Sequence, residues 1–204
     1  MTILSIFLKG GPLMFVLLAL SFLGVGIIIG KYRQIFRINN LQKRHAAAIR
    51  KLRSLDDINT YLKVNHDDSP IVSVLNKAVT LVGEDYAMIK DSIESTANIA
   101  IHKLENGLGW LSTLAAVAPL IGFLGTVTGM VRVFINIAAH SQQGIDITLL
   151  ANGIWEALLT TVGGLIVGIP AIIFYNDLVA HTGNNAKLLQ EEIDDLMIKL
   201  FNKK

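Results

Sequence analysis

The chain has 204 residues, 52% hydrophobic and 17% charged, whereas the surface of an ordinary soluble domain needs about 25% charged residues. That excludes a water-soluble globule and points to a membrane protein. A net charge of only +2, with no basic run interleaved with aromatics, excludes a nucleic-acid binder, and the lack of cysteine excludes disulfides, thiolate catalysis and thiolate-bound metals.

Lys9 is followed by an uncharged stretch from Gly10 to Gly30. It is longer than the apolar core of a secretory signal, and its basic residues follow it rather than precede it. It therefore reads as a retained spanning helix, since about 20 helical residues cross a bilayer core of about 30 Å. Leu, Ile, Phe and Val cover all its faces and Ser21 is its only polar side chain. Such a helix belongs on the lipid-facing outside.

The segment after this span carries Lys31, Arg33, Arg37, Lys43, Arg44, Arg50, Lys51, Arg53 and Lys63 against Asp56 and Asp57. By the positive-inside rule this loop is cytoplasmic. Within it, Ser69 and Pro70 form an N-cap and first-turn pair, and Gly83 is a stop signal. From Glu84 onward, Ile89, Ile93, Ala97, Ala100, Leu104, Leu108 and Leu111 recur at helical spacing. This periodicity predicts one long helix leading straight into the second span.

The second apolar window lies between Glu105 and Arg132, and the third between Glu156 and Asp177. The connection from Asn136 to Ala151 has no Lys or Arg, which places it outside, in the periplasm, together with the N-terminus. The tail, with Lys187, Lys199, Lys203 and Lys204, is then cytoplasmic. Its Leu189, Ile193, Leu196 and Leu200 make an apolar stripe for packing against the loop, with Glu191, Glu192, Asp194 and Asp195 on other, solvated faces.

The predicted fold is all-α: a polytopic membrane protein with three transmembrane helices and a cytoplasmic helical bundle. Its segments are an N-terminal part with the first span (1–31), a cytoplasmic helical loop (32–109), the second span (110–136), a periplasmic loop (137–152), the third span (153–176) and a cytoplasmic C-terminal helix (177–204). His45, His66, His102, His140 and His181 are scattered without ligand spacing, so neither metal nor cofactor is expected.

The second and third spans are richer in small and hydroxyl residues than lipid contact requires. One holds Pro119, Gly122, Gly125, Thr126 and Gly129, the other Thr160, Thr161, Gly164, Gly168 and Pro170. Such residues let helices approach closely and hydrogen-bond. Gly125/Gly129 and Gly164/Gly168 each fall on one helix face, serving contacts within a subunit or between subunits. Glu156 opens an otherwise apolar run, where a carboxylate costs about 2.5–3.5 kcal/mol at mid-membrane and less near an interface. It faces a bundle interior or water-filled path, the alternative being an interfacial anchor. Thr160, Gly163, Gly164 and Val167 share its face at three- and four-residue steps. Arg132 and Glu156 each lie 12 residues from Gly144, so Arg132 either pairs with Glu156 or snorkels to the outer surface.

The stretch APLIGFLGTVTGM (Ala118 to Met130), followed by GIWEALLTTVGGLIVGIPAIIFYN (Gly153 to Asn176), resembles the paired signature of the MotA/TolQ/ExbB proton-channel family. The start KGGPLM (Lys9 to Met14) and the three-span layout are most similar to the ExbB and TolQ branch, and lean towards ExbB. The resemblance implies a non-enzymatic motor subunit of the bacterial inner membrane, with five copies around an ExbD- or TolR-like single-span partner that carries the proton-binding aspartate. A TonB-like protein would be a further partner. It also implies Glu156 as pore carboxylate and Thr126 and Thr161 as pore threonines, although helical geometry puts Thr160 nearer the Glu156 face. Three other readings stay open: TolQ-like envelope maintenance, gliding or flagellar-type propulsion, and a passive membrane scaffold.

Overall fold

The computed structural model describes residues 10–50, 55–65, 67, 69–139 and 147–201, and these form six α-helices with no strand among them. They are α1 (Pro12–Ile49), α2 (Leu55–Val64), α3 (Pro70–Thr80), α4 (Tyr86–Glu105), α5 (Leu108–Ala139) and α6 (Ile147–Phe201). Three stretches of the described residues are long and apolar enough to cross a membrane, in Pro12–Ile49, Tyr86–Ala139 and Leu150–Ile198. The all-α polytopic fold is thus as expected. Lys9, Lys51, Arg53, His66, His140, Gly144, Lys203 and Lys204 lie outside the described residues, and the side chains of Lys199 and Leu200 are likewise undescribed.

The chain divides into two compact units. The first takes residues up to Ile29 and Gly107–Asn176, and so contains all three apolar stretches. Its first helix starts at Pro12, where proline's missing N–H costs nothing, after Gly11 at φ +71°, a conformation cheap only for glycine. The first span is not lipid-facing on every side. Met14 and Leu17 are buried in a cluster with Ala118, while Phe15, Phe22 and Leu23 are exposed.

The second unit takes Gly30–Asn106 and Asp177–Lys204. Its core joins Ile49, Leu75, Ile93, Leu189, Ile193 and Leu196 with their neighbours, so loop and tail pack as one bundle. Here α3 starts at Pro70 after Ser69 as expected, although the Ser69 hydroxyl makes no capping bond, and Gly83 follows its end at φ +105°.

Two expectations need correcting. The long helix into the second span is interrupted: α4 ends at Glu105, and Gly107 stands at φ +90° before α5 begins at Leu108. The apolar periodicity continues through this point, but glycine's access to positive φ lets the helical hydrogen bonding stop there. Glu192 is also not on a solvated face. It is 6% exposed, and Arg50 Nη2 donates to its Oε1 at 2.8 Å.

Other polar links tie this bundle together. Lys31 Nζ donates to the Leu104 carbonyl at 3.2 Å, Gln42 Nε2 to the Asn185 carbonyl at 3.0 Å, and the Tyr32 hydroxyl to Asp177. His45, 2% exposed, lies with Nδ1 2.6 Å from the Tyr61 hydroxyl and Nε2 2.5 Å from Asp67. Burial raises the Asp67 carboxyl, but hydrogen bonds from Ser69 and His45 outweigh it and hold the group below its ordinary value. Burial and the neighbouring Asp67 push the Tyr61 hydroxyl up.

Candidate functional site

The contact between α5 and α6 is built on glycines. A Cβ on Gly164 would lie 2.6 Å from the Ala118 carbonyl and 2.9 Å from Gly122 Cα, and one on Gly122 would lie 2.8 Å from the Thr160 carbonyl. A Cβ on Gly129 would meet Ala157 Cβ at 2.7 Å. Each distance is below van der Waals contact, so only hydrogen fits and the two backbones touch. The expected small-residue stripe therefore lies within one chain. Adjacent glycines serve different neighbours: Gly164 faces α5, whereas a Cβ on Gly163 would lie 3.0 Å from Met14 Sδ of α1.

The prolines differ. Pro119 removes the helical donor to the carbonyl four residues before it, which is that of Ala115. Gly168 sits against that carbonyl and the Pro119 ring, at 3.2 Å and 2.5 Å from its Cβ position. Pro170, placed by the sequence among packing residues, is exposed.

The hydroxyls lie on and beside this seam. Thr160 is 3% exposed against Gly125, and its hydroxyl donates to the Ala157 carbonyl at 2.7 Å. The Thr161 hydroxyl crosses to the Gly122 carbonyl of α5 at 2.9 Å. Thr126 is half-buried and donates within its own helix to the Phe123 carbonyl at 2.6 Å. Thr160 is thus enclosed in the helix contact, while Thr161 and Thr126 retain partial exposure.

Four residues before Thr160, about 6 Å along the helix, stands Glu156. Its side chain is 33% exposed, and Arg132 Nη1 donates to its Oε1 at 3.3 Å. Of the two sequence readings for Arg132, the ion pair is the one formed. The Glu156 carboxylate also lies directly against the Gly11 backbone, where a Cβ would collide with it. Gly11 was not among the residues singled out in the sequence. The signal for it was Gly-Gly-Pro just before a span, since two glycines ahead of an N1 proline leave the chain free to enter at positive φ.

No group of three or more His, Asp or Glu that could hold a metal occurs among the described residues. The arrangement is a carboxylate and guanidinium at one end of a narrow stripe of hydroxyls and close-packed glycines. Such an arrangement can hold water and balance charge.

A sequence profile described as the MotA/TolQ/ExbB proton channel family matches residues 66–191, more than half of the chain. The chain is 29% identical over 189 residues to the biopolymer transport protein ExbB of Neisseria gonorrhoeae, covering 82% of each. It is 29% identical over 167 residues to the protein of the same name from Salmonella typhimurium, covering 78% of this chain and 68% of the relative. It is 27% identical over 186 residues to a putative ExbB-like biopolymer transport protein of Synechocystis, covering 91% of this chain and 89% of that one.

Proposed function

Because the chain belongs to the MotA/TolQ/ExbB proton channel family, we propose that it is the ion-channel subunit of an inner-membrane motor. In this reading it converts proton-motive force into mechanical work on the outer membrane and energises TonB-dependent transport, as an ExbB would. The observation that carries the reading is Glu156. It is the one charge at the start of a run that is uncharged from Ala157 to Asn176, it is paired with Arg132, and it leads into the hydroxyls of Thr160 and Thr161. A carboxylate costs insertion energy at such a place, so an anchor alone does not account for it.

In the mechanism, protons pass along the face where this chain meets a single-span ExbD- or TolR-like partner. Glu156, Thr126 and Thr161 hold water and balance charge along that face. Titration of an aspartate on the partner helix makes its charged and neutral states prefer different positions in a ring of identical walls, which turns ion flow into rotation or displacement. Five copies would form the ring. In one chain only 17%, 33% and 28% of the three spanning windows are buried, which leaves ample apolar surface for neighbours and lipid. The N-terminus would lie in the periplasm and the C-terminus in the cytoplasm.

Growth on a nutrient that enters by a TonB-dependent route tests the job. Deletion of the gene should abolish uptake and the intact gene should restore it. Normal uptake together with detergent sensitivity of the outer membrane would assign the motor to TolQ-like maintenance instead.

A further inference from the structure

A cavity of about 750 Å³ lies wholly within the second unit, between α1, the start of α3 and the end of α4. The ion path makes no use of it. Arg33, Arg37 and Lys103 line it together with Ser73, Leu41 and Leu104, and no Asp or Glu contributes to its wall. Among the described residues none of the three cations makes an ion pair. Arg33 and Arg37 stand four residues apart on one helix, a like-charge spacing that destabilises the helix unless an anion sits between them.

The level of these cations narrows the choice of anion. Gly30 ends the uncharged stretch of α1, so at 1.5 Å per residue Arg33 and Arg37 lie about 4.5 Å and 10.5 Å beyond it along the same helix. The headgroup layer on each side of a bilayer core is about 5–7 Å thick. Arg33 is therefore inside that layer, and Arg37 lies just below it, within reach of a long side chain extending back. The hydrogen bond from Lys31 to the Leu104 carbonyl brings the end of α4, and with it Lys103, to the same level. A soluble anion would have no need of cations at headgroup depth.

We infer that this cavity seats the phosphate headgroup of an anionic phospholipid from the adjacent leaflet. Arg33, Arg37 and Lys103 hold the phosphate, and Ser73 and Gln34, which also line the wall, offer hydrogen bonds to headgroup hydroxyls. Basic pockets beside transmembrane helices are the surfaces that select such lipids. The inference does not depend on ion conduction, because no residue of the cavity belongs to the ion path.

The test is native mass spectrometry of the full chain in neutral detergent, titrated with phosphatidylglycerol, phosphatidylcholine and inorganic phosphate. Phosphatidylglycerol should bind with clear preference. The triple variant Arg33→Gln, Arg37→Gln, Lys103→Gln should weaken it about a hundredfold, the effect of removing three cations from beside an anionic headgroup, and leave phosphatidylcholine unchanged. Ala100→Phe keeps every charge but fills the cavity, which Ala100 lines, and should weaken phosphatidylglycerol as well. Lys43→Gln, Lys77→Gln and Lys187→Gln, at exposed lysines outside the cavity, should have little effect. Unaltered binding in either the triple variant or Ala100→Phe would overturn the site. Equal occupancy by inorganic phosphate would overturn the lipid.

Discussion

The Thr161 hydroxyl donates to the Gly122 carbonyl at 2.9 Å, a side-chain hydrogen bond between two membrane-spanning helices. Interhelical bonds of this kind contribute about 0.6 kcal/mol on average within membranes. Thr161→Val, which keeps shape but removes the hydroxyl, should destabilise the helical pair by about that amount. Thr161→Ser should restore it. Unfolding in mixed micelles of increasing SDS content measures both. If Thr161 also serves the ion path, Val should lose more transport than this stability change explains, and Ser should regain it.

The glycines separate into those that touch another helix and those that do not. A Cβ on Gly164 would press on the Ala118 carbonyl at 2.6 Å, whereas one on Gly26 would meet nothing within 4 Å. Gly164→Ala should therefore cost about 1–3 kcal/mol through forced separation of the backbones. Gly26→Ala should be neutral or stabilise by up to about 1 kcal/mol through helix propensity. The same SDS titration checks the pair.

Much of this was legible in the chain itself. Charge-free windows at Gly10–Gly30 and in the second and third spans identify the crossing helices, because hydrocarbon excludes charge at any position. Pro70 marks the start of α3, because a proline at the first helical position is a local signal, and Gly83 follows just past its end at Thr80. The break at Gly107 was hidden, since the apolar stripe keeps its period across it and a single glycine serves equally in a helix or a turn. The partners of Gly163 and Gly164 were hidden too: adjacent residues point about 100° apart, and only the three-helix arrangement says which neighbour each one meets. Burial of Glu192 depends on Arg50, 142 positions away, and no local pattern announces such a pair.

The bundle of the second unit should be sensitive to acid through Asp67. Its carboxyl is held below the ordinary value in the fold, so its contribution is present above an unfolded pKa of about 3.9 and is lost as pH falls through the lower folded value. Asp67→Asn should lower stability at neutral pH by about 1 kcal/mol, less than hydrogen bonds to a buried charged group contribute because solvent screens this carboxylate. The difference from the original chain should shrink once pH drops below about 4. Thermal unfolding followed by circular dichroism across pH measures this.

Arg50 and Glu192 form a pair in which one member is 61% exposed and the other 6%. Removing the exposed partner leaves a carboxylate buried, so Arg50→Ala should lower the unfolding midpoint of the bundle. Combining it with Glu192→Leu should recover most of the loss, because the apolar replacement has no charge to desolvate. A double-mutant cycle in thermal unfolding gives the coupling directly.

The ion-path assignment rests on Glu156. Glu156→Gln keeps size and hydrogen-bonding capacity, and Arg132 Nη1, 3.3 Å from Glu156 Oε1, can still donate to the uncharged amide oxygen. Protein level and assembly with the proposed single-span partner should therefore be unchanged. Proton flux through proteoliposomes holding this chain and the proposed single-span partner should nevertheless fall to background. Flux equal to that of the original chain, from a variant that assembles normally, would make Glu156 an interfacial anchor and contradict the assignment.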